Sequence, residues 1–104
     1  MTTEETPSQN SEHIRTVFFV SDATAITAET LANSVLAQFH GLKYSRYRMP
    51  FINTVDKAKE AALKINEVGK ETGIRPLVFS TLVARELAST FNEYCNAFVI
   101  ELFR

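Results

Sequence analysis

Apolar residues fall along this chain in blocks whose period alternates between strand-like and helix-like. Residues 14–20 (IRTVFFV) form a short run of β-branched and aromatic side chains, which predicts a buried strand. Ser21 and Asp22 close it, and both favour turns and helix N-caps. From Thr24 the period changes. Ala28, Leu31, Ala32, Val35 and Phe39 recur at i, i+3, i+4, i+7 and i+11, the stripe of a helix lying on a core. His40 and Gly41 end it, with Gly41 as a left-handed cap. Residues 42–49 (LKYSRYRM) alternate again and predict a second strand that stops at Pro50. Its cations Lys43, Arg46 and Arg48 suit a strand near a sheet edge, where charge discourages unwanted pairing.

The next block gives the clearest helix. Thr54 is a good N-cap and Asp56 lies in the first turn, where the helix dipole favours negative charge. Val55, Ala58, Ala62, Ile65 and Val68 make the predicted inward stripe, and Lys57, Glu60, Lys64, Glu67 and Lys70 the outward one. Gly73 stops it. Residues 76–79 (PLVF) predict a third strand, with the proline tolerated at its first position, ended by Ser80 and Thr81. Residues 82–90 predict a shorter helix with Val83, Leu87 and Phe91 on one face. The last stretch is ambiguous: Tyr94 and Cys95 fit a short strand, and residues 97–104 (AFVIELFR) fit a strand or the start of a helix.

Strand and helix alternating with short connections predict an α/β fold. We expect a three-layer parallel sheet of three to four strands with flanking helices, joined by right-handed crossovers in strand order 2-1-3. The division is a polar, acidic tail over residues 1–12, expected to be disordered, and one domain over 13–104. The chain reaches Arg104 while still strongly apolar, which predicts a domain cut short.

Composition narrows the classes. At 104 residues the chain can bury one core. A net charge of -1 gives no broad attraction to nucleic acid or anionic membrane, and no apolar run approaches the ~20 residues of a membrane span. The single cysteine, Cys95, forbids an internal disulfide and fits a reducing cytoplasm. His13, His40 and Cys95 have no metal-ligand company, so no metal site is expected.

Ligands of open parallel sheets bind at the carboxyl ends of the strands. Here that edge gathers Ser21, Asp22, Thr24 and Thr27 after strand one, residues 50–53 after strand two, and Ser80 and Thr81 after strand three. Hydroxyls beside free helix amides suit phosphate. The same residue types are ordinary helix caps, so the cluster reads equally as self-capping. Asp22 opposes an anion and is the better candidate for capping, orienting a hydroxyl or moving a proton. A Walker A loop is missing, because no lysine is followed by Ser or Thr; a dinucleotide fingerprint is missing too, because the first turn holds no glycine.

The run 17–29 (VFFVSDATAITAE) resembles the opening signature of the phosphoenolpyruvate synthase and pyruvate phosphate dikinase regulatory proteins. There an aromatic strand leads into Ser-Asp, then Thr, then Thr-Ala-Glu. The stretches 49–58 (MPFINTVDKA) and 73–83 (GIRPLVFSTLV) agree in order and spacing. The sequence departs from the pattern at Ala23, where the family has glycine, and a Cβ there narrows the allowed backbone. The resemblance implies a cytoplasmic, bacterial serine/threonine kinase and phosphorylase, of which this is the N-terminal part. It implies phosphorylation of a threonine of phosphoenolpyruvate synthase with ADP as donor, and removal of that phosphate by inorganic phosphate. The family's phosphate-binding loop lies in a further domain, so this chain alone is expected to be inactive and to contain no catalytic residue. Ser21, Asp22, Thr24 and Thr27 match motif positions as nucleotide- or phosphate-binding candidates. Alternative readings are a non-catalytic docking or dimerisation module, or a free-standing nucleotide- or phosphate-binding domain. The apolar stretch 97–104 favours a homodimer.

Overall fold

A computed structural model describes residues 14–38 and 43–102. The expected tail over residues 1–12, the Phe39 end of the first helix, the Gly41 cap and the final two residues lie outside them. Four parallel strands alternate with three helices: β1 (Arg15–Val20), α1 (Ile26–Leu36), β2 (Tyr44–Met49), α2 (Val55–Thr72), β3 (Leu77–Ser80), α3 (Arg85–Tyr94) and β4 (Phe98–Glu101). The sheet order is β2-β1-β3-β4, so the expected 2-1-3 order holds and β4 extends it. The ambiguous last stretch is therefore a strand, and Tyr94 ends α3.

The crossover rule decides which face each helix covers. The β1-to-β2 connection runs one way along the sheet and carries α1 to one face. The two later connections run the other way and carry α2 and α3 to the opposite face. Two cores result, divided by the alternation of β1. Phe18 and Val20 join Val78, Ala58, Ala62, Ile65, Leu87 and Phe91 beneath α2 and α3. Val17 and Phe19 join Phe79, Ala25, Ala28, Ala32 and Leu36 beneath α1. Only a central parallel strand is buried on both faces, which is why residues 17–20 are apolar without a break.

β2 is the edge its charges predicted, with Arg46, Tyr47 and Arg48 exposed. Thr54 caps α2 as expected, its hydroxyl accepting the Lys57 amide hydrogen at 3.1 Å. Gly73 ends that helix in the left-handed conformation at φ 73°. Four expected inward positions differ. Leu31 and Val35 are exposed because α1 approaches the sheet on its alanines, 28 and 32, with Leu36. Small residues let the helix backbone sit close, which turns the larger side chains to its flank. Val55 overhangs in the first turn of α2, and Val83 precedes α3 in the loop. Among the described residues no helix is long and apolar enough to cross a membrane.

Candidate functional site at the carboxyl ends of the strands

The chain leaves β1 toward one face and β3 toward the other, so a crevice opens between their carboxyl ends, the usual ligand position in such sheets. The loop after β1 is held by three bonds to the segment at the end of β2. Its Ser21 amide donates to the Met49 carbonyl at 3.2 Å, the Ile52 amide donates to the Ser21 carbonyl at 2.9 Å, and the Phe51 amide donates to the Ala23 carbonyl at 2.8 Å. The Thr81 amide donates to the Val20 carbonyl at 2.9 Å, tying the loop after β3 to the same strand end. Two non-glycine residues take positive φ in this braced region: Ala25 at 71° and Phe51 at 62°. Such conformations cost of order ~1–3 kcal/mol and persist where the surroundings impose them. Ala23 is not one of them.

The six candidates separate by burial. Ser21, Ser80 and Thr81 are buried. The Ser21 hydroxyl accepts from the Ala23 amide at 3.0 Å, and that of Ser80 from the Leu82 amide at 3.2 Å. Thr81 donates its hydroxyl to the Val20 carbonyl at 3.5 Å, the outer limit for such a bond. These three shape the turns. Each serine accepts through oxygen and keeps a hydroxyl hydrogen to donate. Thr24 and Thr27 are exposed. The Thr24 hydroxyl accepts from the Ile26 amide at a long 3.4 Å. Asp22 is half-buried, and its carboxylate takes no hydrogen bond from a described residue.

Three helix N-termini open on this edge, and they differ. α2 is capped by Thr54, whereas the N-cap residues of α1 and α3 are Ala25 and Ala84, and neither makes a side-chain cap bond. The first amides of a helix have no intrahelical acceptor, so α1 presents donors beside Thr24 and Thr27. Asp22 does not occupy the capping position suggested for it; Ala25 does.

Charge around the crevice is mixed. Lys57 reaches Asn53 Oδ1 at 3.3 Å. Arg48 is paired with Glu29 on α1 at 2.6 Å and is thereby held over the α1 face. Arg85, which sequence reasoning passed over as one more residue in a short helix, opens α3 and lines a cavity of about 510 Å³ with Ser89, Asn92 and Glu101. The end of β4 beside α3 brings Arg85 to this cavity, a placement the sequence pattern does not carry. Cys95 is partly buried, and desolvation pushes its thiol pKa up, against a backbone hydrogen bond with Ala97 and the charge of Arg75, which pull it down. Among the described residues no group of three or more His, Cys, Asp or Glu is placed to hold a metal ion.

Residues 17–104 match the sequence model of a family described as Kinase/pyrophosphorylase. Curated relatives are provisionally named phosphoenolpyruvate synthase regulatory proteins. That of Verminephrobacter eiseniae is 48% identical over 91 residues, 88% of this chain and 33% of that protein. That of a Polaromonas species (strain JS666) is 47% identical over 89 residues, 86% of this chain and 32% of that protein. That of Aromatoleum aromaticum is 49% identical over 90 residues, 86% of this chain and 32% of that protein. The chain spans about a third of the length of the curated relatives it matches.

Proposed function

This chain belongs to the kinase/pyrophosphorylase family, and from that premise we propose that it is the N-terminal, phosphate-engaging part of a cytoplasmic phosphotransferase that regulates phosphoenolpyruvate synthase. The whole protein would phosphorylate a threonine of that enzyme with ADP as donor. In the reverse sense inorganic phosphate would attack the phosphothreonine phosphorus, freeing the hydroxyl and releasing pyrophosphate. That balance agrees with the two activities in the family's description. The lysine-bearing phosphate loop such chemistry uses is not in this sequence, so transfer itself is assigned to the polypeptide that longer relatives carry.

One observation carries the local part of the reading. α1 begins without a cap from its N-cap residue shortly after the central strand, with the exposed hydroxyls of Thr24 and Thr27 beside its first amides, of which Ile26 makes one long contact to Thr24. Amides and hydroxyls converging at a helix N-terminus suit a phosphate oxygen. Asp22, whose carboxylate takes no hydrogen bond from a described residue, can then take the proton of a reacting hydroxyl or orient it.

The test is Thr24→Ala and Thr27→Ala in a protein of the relatives' length. Both side chains are exposed and the one Thr24 bond is long, so stability should change by less than ~0.5 kcal/mol. Phosphoryl transfer to the target enzyme should fall by about tenfold or more, the scale of a lost transition-state hydrogen bond. Full activity in both variants, or loss only through unfolding, would make the loop a simple helix start.

A further inference from the structure

We propose that the open end of the α1 face, over β4, seats an amphipathic helix contributed by the polypeptide that the longer relatives carry beyond the matched third. The claim is independent of phosphate binding at the strand ends. It starts from an imbalance between the two faces: α2 and α3 share one, and α1 has the other to itself. α1 lies over β1 and β3, and its far flank is tied to β2. Arg48 pairs with Glu29, and Arg46 Nη1 donates to Asn33 Oδ1 at 2.7 Å, both reaching from β2 to that helix. The β4 end of the face is left bare.

The register identifies what lies there. Phe98 pairs with Leu77 and Ile100 with Phe79, and Phe79 belongs to the core beneath α1, so Phe98 and Ile100 project to that same face. Phe98 is 48% exposed and Ile100 41%. On the neighbouring flank of α1, Leu31 is 40% and Val35 41% exposed. The bare area therefore has a floor on β4 and a wall on α1. Its width suits one element. A helix is about 10 Å across and strands are about 4.8 Å apart, so a helix beside α1 would lie over β4. Parallel sheets bury both faces almost without exception, which makes a partly covered face an unfinished one.

The relatives' length points to the occupant. About two thirds of each relative lies outside the match, and a segment on the same polypeptide acts at an effective concentration near millimolar, which a second copy seldom reaches. Charge adds a detail. The guanidinium carbons of Arg75 and Arg15 lie 4.3 and 5.8 Å from the Phe98 ring centre, so the seated helix should carry an acidic side chain at that end.

The experiment uses a protein of the relatives' length in which this chain forms the matched third. Cys95→Ser removes the native thiol, and Ile100→Cys or Val83→Cys supplies a probe; Val83 is 67% exposed and lies outside the bare area. Maleimide should label position 100 at least tenfold more slowly than position 83, and a photo-reactive benzoylphenylalanine at position 98 should cross-link to a downstream peptide of the same polypeptide. Equal labelling rates would overturn the proposal, as would cross-links joining two copies. Should Ile100→Cys fail to fold, Leu31→Cys gives the same readout from the other wall.

Discussion

Gly69 is a position where two well-measured effects oppose each other, and the structure says which should win. It lies within α2, where replacing glycine by alanine normally stabilises a helix by ~1 kcal/mol. A Cβ built there, however, falls 2.9 Å from Pro76 Cδ and 3.4 Å from its Cγ. Carbon pairs are at their best near ~3.5–4.0 Å, so the nearer contact is about 0.6 Å too close. The obstacle is a buried proline ring just before β3, which has no rotamer to retreat into. Forcing an extra methyl into such a place costs ~1–3 kcal/mol. Gly69→Ala should therefore destabilise the domain by about 1 kcal/mol net, a fall in melting temperature of ~4–8 °C for a domain of this size.

A double-mutant cycle separates the two effects. Pro76→Ala removes both contacting ring atoms, and in that background Gly69→Ala should reverse sign and stabilise by up to ~1 kcal/mol. Gly73→Ala is the control. Its Cβ would meet nothing within 4 Å, but the residue sits at φ 73°, so it should cost ~1–2 kcal/mol whether or not Pro76 is present. Chemical unfolding followed by far-ultraviolet circular dichroism reads all five variants. If Gly69→Ala raises stability with Pro76 intact, or if its effect is the same in both backgrounds, the packing argument is wrong.

The remaining expectations concern single residues and the isolated chain. Thr54→Ala should cost ~1 kcal/mol through the lost cap at α2, seen as a lower denaturation midpoint with an unchanged slope. Arg48→Ala should cost no more than ~0.5 kcal/mol, and less in high salt, because the Arg48–Glu29 pair is 54% and 22% exposed. Cys95 should be alkylated more slowly in the native protein than in denaturant, since burial disfavours its thiolate. The raised thiol pKa also fixes a sign: the unfolded chain releases this proton at lower pH, so its contribution is full below the ordinary thiol range and declines as pH rises through it. The 104-residue chain alone should transfer no phosphate to phosphoenolpyruvate synthase; radiolabel appearing on the target enzyme would contradict that.

The sequence by itself determined what depends on local pattern. The unbroken apolar run 17–20 marked a strand buried on both faces, the charges of β2 marked an edge, and Thr54 and Gly73 bracketed α2, because capping and alternation are properties of neighbours along the chain. The same run, continued through Thr-Ala-Glu and supported by residues 49–58 and 73–83, carried the resemblance to the family. Periodicity could not say which side of α1 meets the sheet. Leu31 and Val35 are more hydrophobic than Ala28 and Ala32, yet close approach selects the alanines, and that choice needs the sheet beneath. Nor could it separate the candidate residues. Ser21, Ser80 and Thr81 face inward to hold turns, and Thr24 and Thr27 face outward, because hydrogen bonds from loops far away in sequence set the course of the backbone between them. The left-handed Ala25 and Phe51 belong to the same class, since nothing in an alanine or a phenylalanine announces a positive φ. The bare end of the α1 face is the furthest from the sequence. It follows from the handedness of three crossovers, which becomes fixed only when the strand order is known.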